Sequence, residues 1–326
     1  MKKLYIPVAM IALGAVAFAQ TPAPTRFDPN TTVELEYLTH TELRAKQKAG
    51  MTSVLLIAGG TEERGPQNVL GGHTIMSRYR GIAIAKQLGN AFLAPVVPFA
   101  PQPTGLKENT DQPGAIEVPP PVFKGIFVAM IDSMRMNGFK DIYVMGDHGG
   151  GQPELKAAVE EAEANPKFSS AGVHVYYIND FYQKTHDDVD MYMYEHKLPI
   201  AGHGAMMETS EMLYEQPVPG MLVRDNYKTV PFDPTGQTPE QWKAARDARD
   251  ARAAAIAAGN PPPPQPARTG GRGQNADTSS KVNNGLSGDP HPSSKEIGKV
   301  VFDFGVNNTV SEIKKQTAAK RTGATQ

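Results

Sequence analysis

The chain has 326 residues, 40% hydrophobic and 21% charged, with a formal net charge of −1. This is the composition of a soluble globular protein of one large domain or two small ones, without the basic excess that binds nucleic acid or an anionic membrane surface. No cysteine is present, so disulfides and thiolate metal sites are excluded, and any metal must be held by His, Asp and Glu.

Residues 1–19 read as an export signal. Lys2 and Lys3 give a positive start, 4–16 an apolar core, and Ala17-Phe18-Ala19 a small-x-small cleavage site. The apolar run is short for a membrane span. Cleavage before Gln20 removes Lys2 and Lys3, takes the net charge from −1 to −3, and leaves an exported protein, periplasmic or secreted, with no membrane attachment. Residues 20–30 are rich in Pro and Thr and read as a loose arm. A helix is expected within 31–49, with Thr39 or Thr41 as its cap.

The apolar run 54–58 is too short for a helix and ends at Gly59-Gly60, so it reads as a buried strand. Behind it come Glu62, Glu63 and Arg64, then His73 at the start of a helix over 74–88. In open α/β sheets ligands bind at the carboxyl ends of strands. Glu62 and His73 are therefore candidates for metal ligands or acid–base groups.

A second strand is expected over 91–97, then a Pro/Gly-rich loop over 101–121, a length that often carries function. The helix at 122–137 has an apolar face and stops at Gly138. Strand 141–145 runs into Gly146-Asp147-His148-Gly149-Gly150-Gly151. That run lacks the lysine and spacing of a phosphate loop. Its glycines let the backbone fold tightly around a ligand histidine, His148.

A helix at 153–164, a strand at 173–178 and a helix at 181–196 follow. Gly202-His203-Gly204-Ala205 then leads into a helix at 206–214 that carries Glu208 and Glu211. This alternation predicts an α/β fold with three layers, α/β/α, and a mainly parallel sheet.

The pattern breaks at 233–285. There a polar, Ala/Arg/Asp-rich helix over 238–258 precedes a Pro/Gly-rich stretch that is expected to be disordered. Order returns for a last helix from Ser293-Ser294 to about 315, with 319–326 as a frayed tail. One domain of 20–232 plus 286–318 is thus interrupted by an insertion.

The segments TEERGPQNVLGGHT, GDHGGGQPEL and GHGAMMETSEML, in that order, resemble the creatininase (creatinine amidohydrolase) family, as do PGAI in the long loop and GDPHPSSKEIG before the last helix. The resemblance implies a hydrolase of amide C–N bonds, cyclic or linear, in which metal-activated water attacks a small-molecule substrate. It also implies a homo-oligomer, often a hexamer. Glu62 matches the family's ligand Glu, His148 its loop His, His203 a His near the reacting group, and Glu208 the Glu before Thr-Ser.

Several positions depart from the pattern. Arg64 stands for a ligand His, His73 for a bridging Asp, Gly151 for the Asn that closes the Gly-rich loop, and Met206 for an acidic residue. A guanidinium keeps its proton and cannot bind a metal. The substitutions suggest one ion rather than two, held by Glu62, His73 and His148: the Glu and two His of a catalytic zinc site, with manganese as the other candidate. Arg64 would then supply a positive charge for a substrate anion, and His203 would shuttle the proton. Glu208 either orients His203, adds a ligand, or is a plain helix-end carboxylate. Glu63 and Asp147 read as ordinary loop carboxylates. Family members that act on creatinine have tryptophans near the position of His203, and this chain has only Trp242, so creatinine itself is not the expected substrate. A non-catalytic binding protein on a degraded scaffold, and a lactonase-type hydrolase, remain as alternatives.

Overall fold

The computed structural model describes residues 27–101, 114–200, 202–232, 238–264 and 285–322. The expected export signal and most of the 20–30 arm lie outside them, as do most of the 101–121 loop and the stretch 265–284 expected to be disordered.

Four parallel strands form the sheet: β1 (Ser53–Ala58), β2 (Ala91–Leu93), β3 (Asp141–Gly146) and β4 (His174–Tyr177), in the order β2-β1-β3-β4. Every residue of β1 and β3 is buried. This is why both strands, after Ser53 and Asp141 at their starts, read as apolar runs: a sheet covered on both faces has no polar side.

Alternate residues serve opposite cores. Val54 and Leu56 of β1 pack with Phe123, Phe127 and Ile131 of α3 (Pro120–Met136) and with Leu155 and Val159 of α4 (Gln152–Glu163). Leu55 and Ile57 face the other way, against Ile84 and Ala85 of α2 (Gly72–Leu88) and Val306, Val310 and Ile313 of the last helix. The fold is the expected three-layer α/β/α arrangement.

In chain order the remaining helices are α1 (His40–Lys48), α5 (Pro166–Ser170), α6 (Gln183–Glu195), α7 (Met206–Glu215), α8 (Pro239–Ala257) and α9 (Lys295–Arg321). Helix α7 packs on α9 and α2. Among the described residues, no helix is long and apolar enough to cross a membrane.

The topology creates the site. From β1 the chain turns to α2 on one face, and from β3 to α4 on the other. These neighbouring strands pair Ala58 with Gly146, so their following loops diverge from adjacent ends. Such a switch point leaves a crevice at the carboxyl edge of the sheet. Glu62 lies on one side of it and Asp147-His148 on the other.

The last helix corrects one expectation. It continues to Arg321, past the expected end near 315, because its final turns have partners. Lys320 lies 4.4 Å from the Tyr176 ring centre and donates to Val175 O, and Arg321 reaches Asp141 at 3.2 Å. Helix α8 has no fully buried residue and is tied to α6 by Arg246 and Arg249, which meet Asp187.

Candidate metal centre

Glu62, His73 and His148 converge. His73 Nε2 lies 2.9 Å from Glu62 Oε1, and His148 Nε2 lies 3.0 Å from Glu62 Oε2. The two imidazoles meet edge to face, with centroids 5.1 Å apart. One ligand atom from each of the three residues lies within 4.8 Å of the others, and all three residues are buried. Gly60 permits the approach: a Cβ there would lie 3.2 Å from the His148 ring and 3.5 Å from the His73 ring.

The outer nitrogens are also held. His73 Nδ1 sits 2.8 Å from Asp147 Oδ2. Both nitrogens of His73 thus face carboxylates, which only accept, so without an ion the ring carries two protons. Burial and the Arg64 charge oppose that imidazolium, but the hydrogen bonds to Asp147 and Glu62 outweigh them and push its pKa up to about 9. Asp147 is only 3% exposed, and Arg80 donates to its second oxygen at 2.9 Å. Burial opposes its charge, but Arg80 and His73 hold it below the usual range. It is not the ordinary loop carboxylate that its neighbourhood in the sequence suggests.

At His148 the Gly150 N–H donates to Nδ1 at 3.0 Å, which places the ring proton on Nε2, towards Glu62. The Gly150 carbonyl lies 3.3 Å from the same Nδ1 and accepts that proton in the other tautomer, freeing Nε2 to bind an ion. The donor set therefore fits a divalent cation: a carboxylate and two imidazole nitrogens, with a carboxylate–histidine contact behind one of them, as metal-binding histidines characteristically have.

Arg64 is placed differently from the expectation. It is fully buried, and its guanidinium faces carboxylates of the chain itself. Its guanidinium lies 2.5 Å from Glu208 Oε2 and 3.5 Å from Glu62 Oε1. The Glu208 contact is close but poorly aligned, and neither Nε nor the terminal nitrogens meets hydrogen-bond geometry. Glu208 does not grip the His203 ring. It accepts the Gly204 N–H at 2.6 Å, and so fixes the loop that carries His203. Gly204 has φ +64°, and a Cβ there would come within 2.6 Å of the Arg64 carbonyl oxygen. Gln67 and Asn68 both donate to Gly204 O.

His203 is the most open of the six predicted site residues, its side chain 34% exposed. Its Nε2 lies 2.7 Å from Glu63 O. A carbonyl only accepts, so the Nε2 that faces it carries a proton. Ser287, just past the insertion, clamps the His203 backbone: His203 N donates to Ser287 Oγ and Ser287 N to His203 O, both at 2.9 Å.

A sequence model of the creatininase family, described as creatinine amidohydrolase, matches residues 36–313. The chain belongs to the creatininase family. That family is one of hydrolases that act on small molecules. Among solved structures, a creatinine amidohydrolase (creatininase) is similar at 17% identity, covering 87% of this chain and 98% of that one with a TM-score of 0.62. A manganese form of creatininase gives the same identity, coverage and TM-score. A putative creatinine amidohydrolase from Bacteroides fragilis NCTC 9343 matches at 17% identity over 86% of this chain and 95% of that one, with a TM-score of 0.55. A mutant creatininase of a zinc–zinc type, 16% identical, covers 87% of this chain and 98% of that one with a TM-score of 0.62. These likenesses show the shared fold. No curated protein matches the sequence at a significant level.

Behind the three candidate ligands lies a buried charge layer that sequence reading passed over. Arg80 pairs with Glu211 through both Nε and Nη2. Glu215, one turn on, is buried, and neither of its oxygens has a hydrogen-bond partner. Burial first, then the Glu211 charge, raise its pKa well above the usual carboxylate value. The spacing of Glu208, Glu211 and Glu215, three and four apart, was the available signal: it puts them on one helix face.

Proposed function

We propose that the protein hydrolyses a C–N bond of a small amide, cyclic or linear, with Glu62, His73 and His148 holding one divalent ion. The observation that carries this reading is the donor set: three buried ligand atoms within 4.8 Å of one another. A bound ion there supplies Lewis acidity, which acidifies water and polarises a carbonyl.

The chain's own residues do the rest. His203 accepts a proton on Nδ1 while Nε2–H stays on the Glu63 carbonyl, then returns the proton to the leaving nitrogen. Arg64 and Glu208 are its supports. Arg64 neutralises Glu208 and shares Glu62, and Glu208 holds the Gly204 N–H next to His203.

Charge supports one ion rather than two. Counting Glu211 as charged through its Arg80 pair, although burial raises its pKa, and Glu215 as neutral, four buried carboxylates (Glu62, Asp147, Glu208 and Glu211) accompany two buried guanidinium groups (Arg64 and Arg80). The excess of two negative charges equals one divalent ion beside neutral histidines, and a second ion would leave an excess of two positive charges. Unbalanced buried charge is costly. Zinc suits a Glu and two His, with manganese second.

Creatinine itself is not the substrate in this reading. Trp242 lies on α8 against Tyr194, and no tryptophan is among the residues that build the centre. The export signal puts the activity outside the cytoplasm, and the family's habit gives a homo-oligomer. Amino-terminal sequencing and sedimentation test those two points.

The test of function is amide turnover. Chelator-treated protein, reconstituted with zinc or manganese, is assayed for amine or ammonia release from a panel of cyclic and linear amides. Metal-dependent release, lowered about 10²–10⁴-fold by His203→Ala, is expected. A protein that binds the ion but turns over no amide favours a binding role on this scaffold.

A further inference from the structure

We propose that Arg80 is a positioning residue of the metal centre, held in place from the last helix by Gly305. The proposal rests on the metal reading above, and it concerns a residue that makes no hydrogen bond to the three candidate ligands.

Arg80 lies two helical turns after His73 on α2, so both point from the same face. It is 1% exposed. Arginine ordinarily keeps its head group in water, and a buried guanidinium must be paired. Arg80 is paired on two sides by two different elements. Nε and Nη2 take both oxygens of Glu211 from α7. Nη1 donates to Asp147 Oδ1 at 2.9 Å, and the other oxygen of Asp147 holds His73 Nδ1 at 2.8 Å.

The Glu211 pair alone satisfies a structural role. The third contact is what connects Arg80 to the centre. It gives each oxygen of Asp147 a single partner, and so fixes the plane of that carboxylate. The carboxylate so held presents its other oxygen to His73 Nδ1 at 2.8 Å. His73 is thereby oriented with Nε2 directed at Glu62 and an incoming ion, the usual outer-layer arrangement behind a ligating histidine.

Helix α9 sets where Arg80 can sit. A Cβ on Gly305 would lie 2.9 Å from both Cδ and Nε of Arg80. On another side the Phe181 ring centre lies 5.7 Å from the guanidinium carbon. Any side chain at 305 pushes Arg80 off this position, although residue 305 is not among the ligands and belongs to the last helix.

The test uses the full mature chain and two ions as probes. Zinc affinity is measured by competition with a chromogenic chelator, and the cobalt(II) absorption spectrum reports ligand geometry. The variants are Gly305→Ala and Arg80→Lys, with Arg78→Ala as a control, since Arg78 is on the same helix but pairs with Glu34 at the surface. Gly305→Ala and Arg80→Lys are expected to weaken zinc binding about 10–100-fold and to alter the cobalt spectrum while remaining folded by circular dichroism; Arg78→Ala is expected to change affinity less than about twofold. Should Arg80→Lys not fold, Gly305→Ala decides alone. Folded Gly305→Ala with wild-type zinc affinity and an unchanged cobalt spectrum overturns the proposal. Wild-type protein that binds neither ion fails the metal reading itself, a distinct result.

Discussion

Glu208 shows how far residue type alone can be read. Its place after Gly-His-Gly marks it as notable, but its partner Arg64 is 144 positions away, and only the packing of α7 on the β1 loop brings them to 2.5 Å. The pairing has a consequence in acid. Burial opposes the Glu208 charge, but Arg64, then His203 and His73, outweigh it and lower the pKa from 4.5 to about 2. A depressed carboxylate stabilises the fold fully above its unfolded pKa and loses that contribution as pH falls from about 4.5 towards 2. Glu208→Gln leaves Arg64 buried beside a neutral amide. It should cost about 3–5 kcal/mol at pH 7, with the gap to wild type closing between pH 4.5 and 2. Urea unfolding at several pH values measures both. A gap that is constant with pH contradicts the assigned charge.

The grouping of Glu62, His73 and His148 was legible because each follows a strand or opens a helix, and the lack of cysteine leaves only His, Asp and Glu as donors. Asp147 was not. Beside a run of glycines it looks like a turn residue, and its partners His73 and Arg80 are 74 and 67 positions away. Arg64 was legible as a non-ligand, but its complete burial was not, because burial is supplied by segments elsewhere in the chain.

At the scale of elements, local chemistry read well where it acts locally. Thr39 caps α1 in a full capping box with Glu42. Thr39→Ala should cost about 1 kcal/mol, and an unchanged midpoint in thermal unfolding would show that α1 is held by packing instead. Helix α8 is likewise a sequence-local element, with a capping box at Thr238 and Gln241 and an i,i+4 pair between Arg246 and Asp250. Because it has no fully buried residue, Arg249→Ala should change global stability by less than about 0.5 kcal/mol, read by urea unfolding. A larger loss would mean that α8 is part of the core cooperative unit. The extent of α9 was underread because its last turn is polar, and polarity alone does not reveal that Lys320 and Arg321 dock on β4 and β3. Strand β2 is shorter than the apolar run 91–97: its ladder to β1 ends where Ala94 N donates to Leu55 O, and pairing resumes at Val97 as an isolated bridge to Ala58.

For the whole molecule, the order of the sheet and the balance of buried charge carry the account. Alternating strands and helices made the three-layer fold readable, and the crevice follows from the chain leaving β1 and β3 on opposite faces. Charge balance is a global property: Glu62, Asp147, Glu208, Glu211, Arg64 and Arg80 come from four separate stretches of chain. A bound ion should therefore stabilise the whole domain. Zinc at about 100 times its Kd adds about 2.7 kcal/mol, and a chelator should reverse the gain. Unfolding midpoints that ignore both additions contradict an ion-completed core.

The central claim is one ion at Glu62, His73 and His148. Its most direct test is elemental analysis of the purified mature chain after exhaustive dialysis, with and without His148→Ala. One divalent ion per chain, lost in the variant, is predicted. Two ions per chain, or one that His148→Ala leaves in place, would contradict the account.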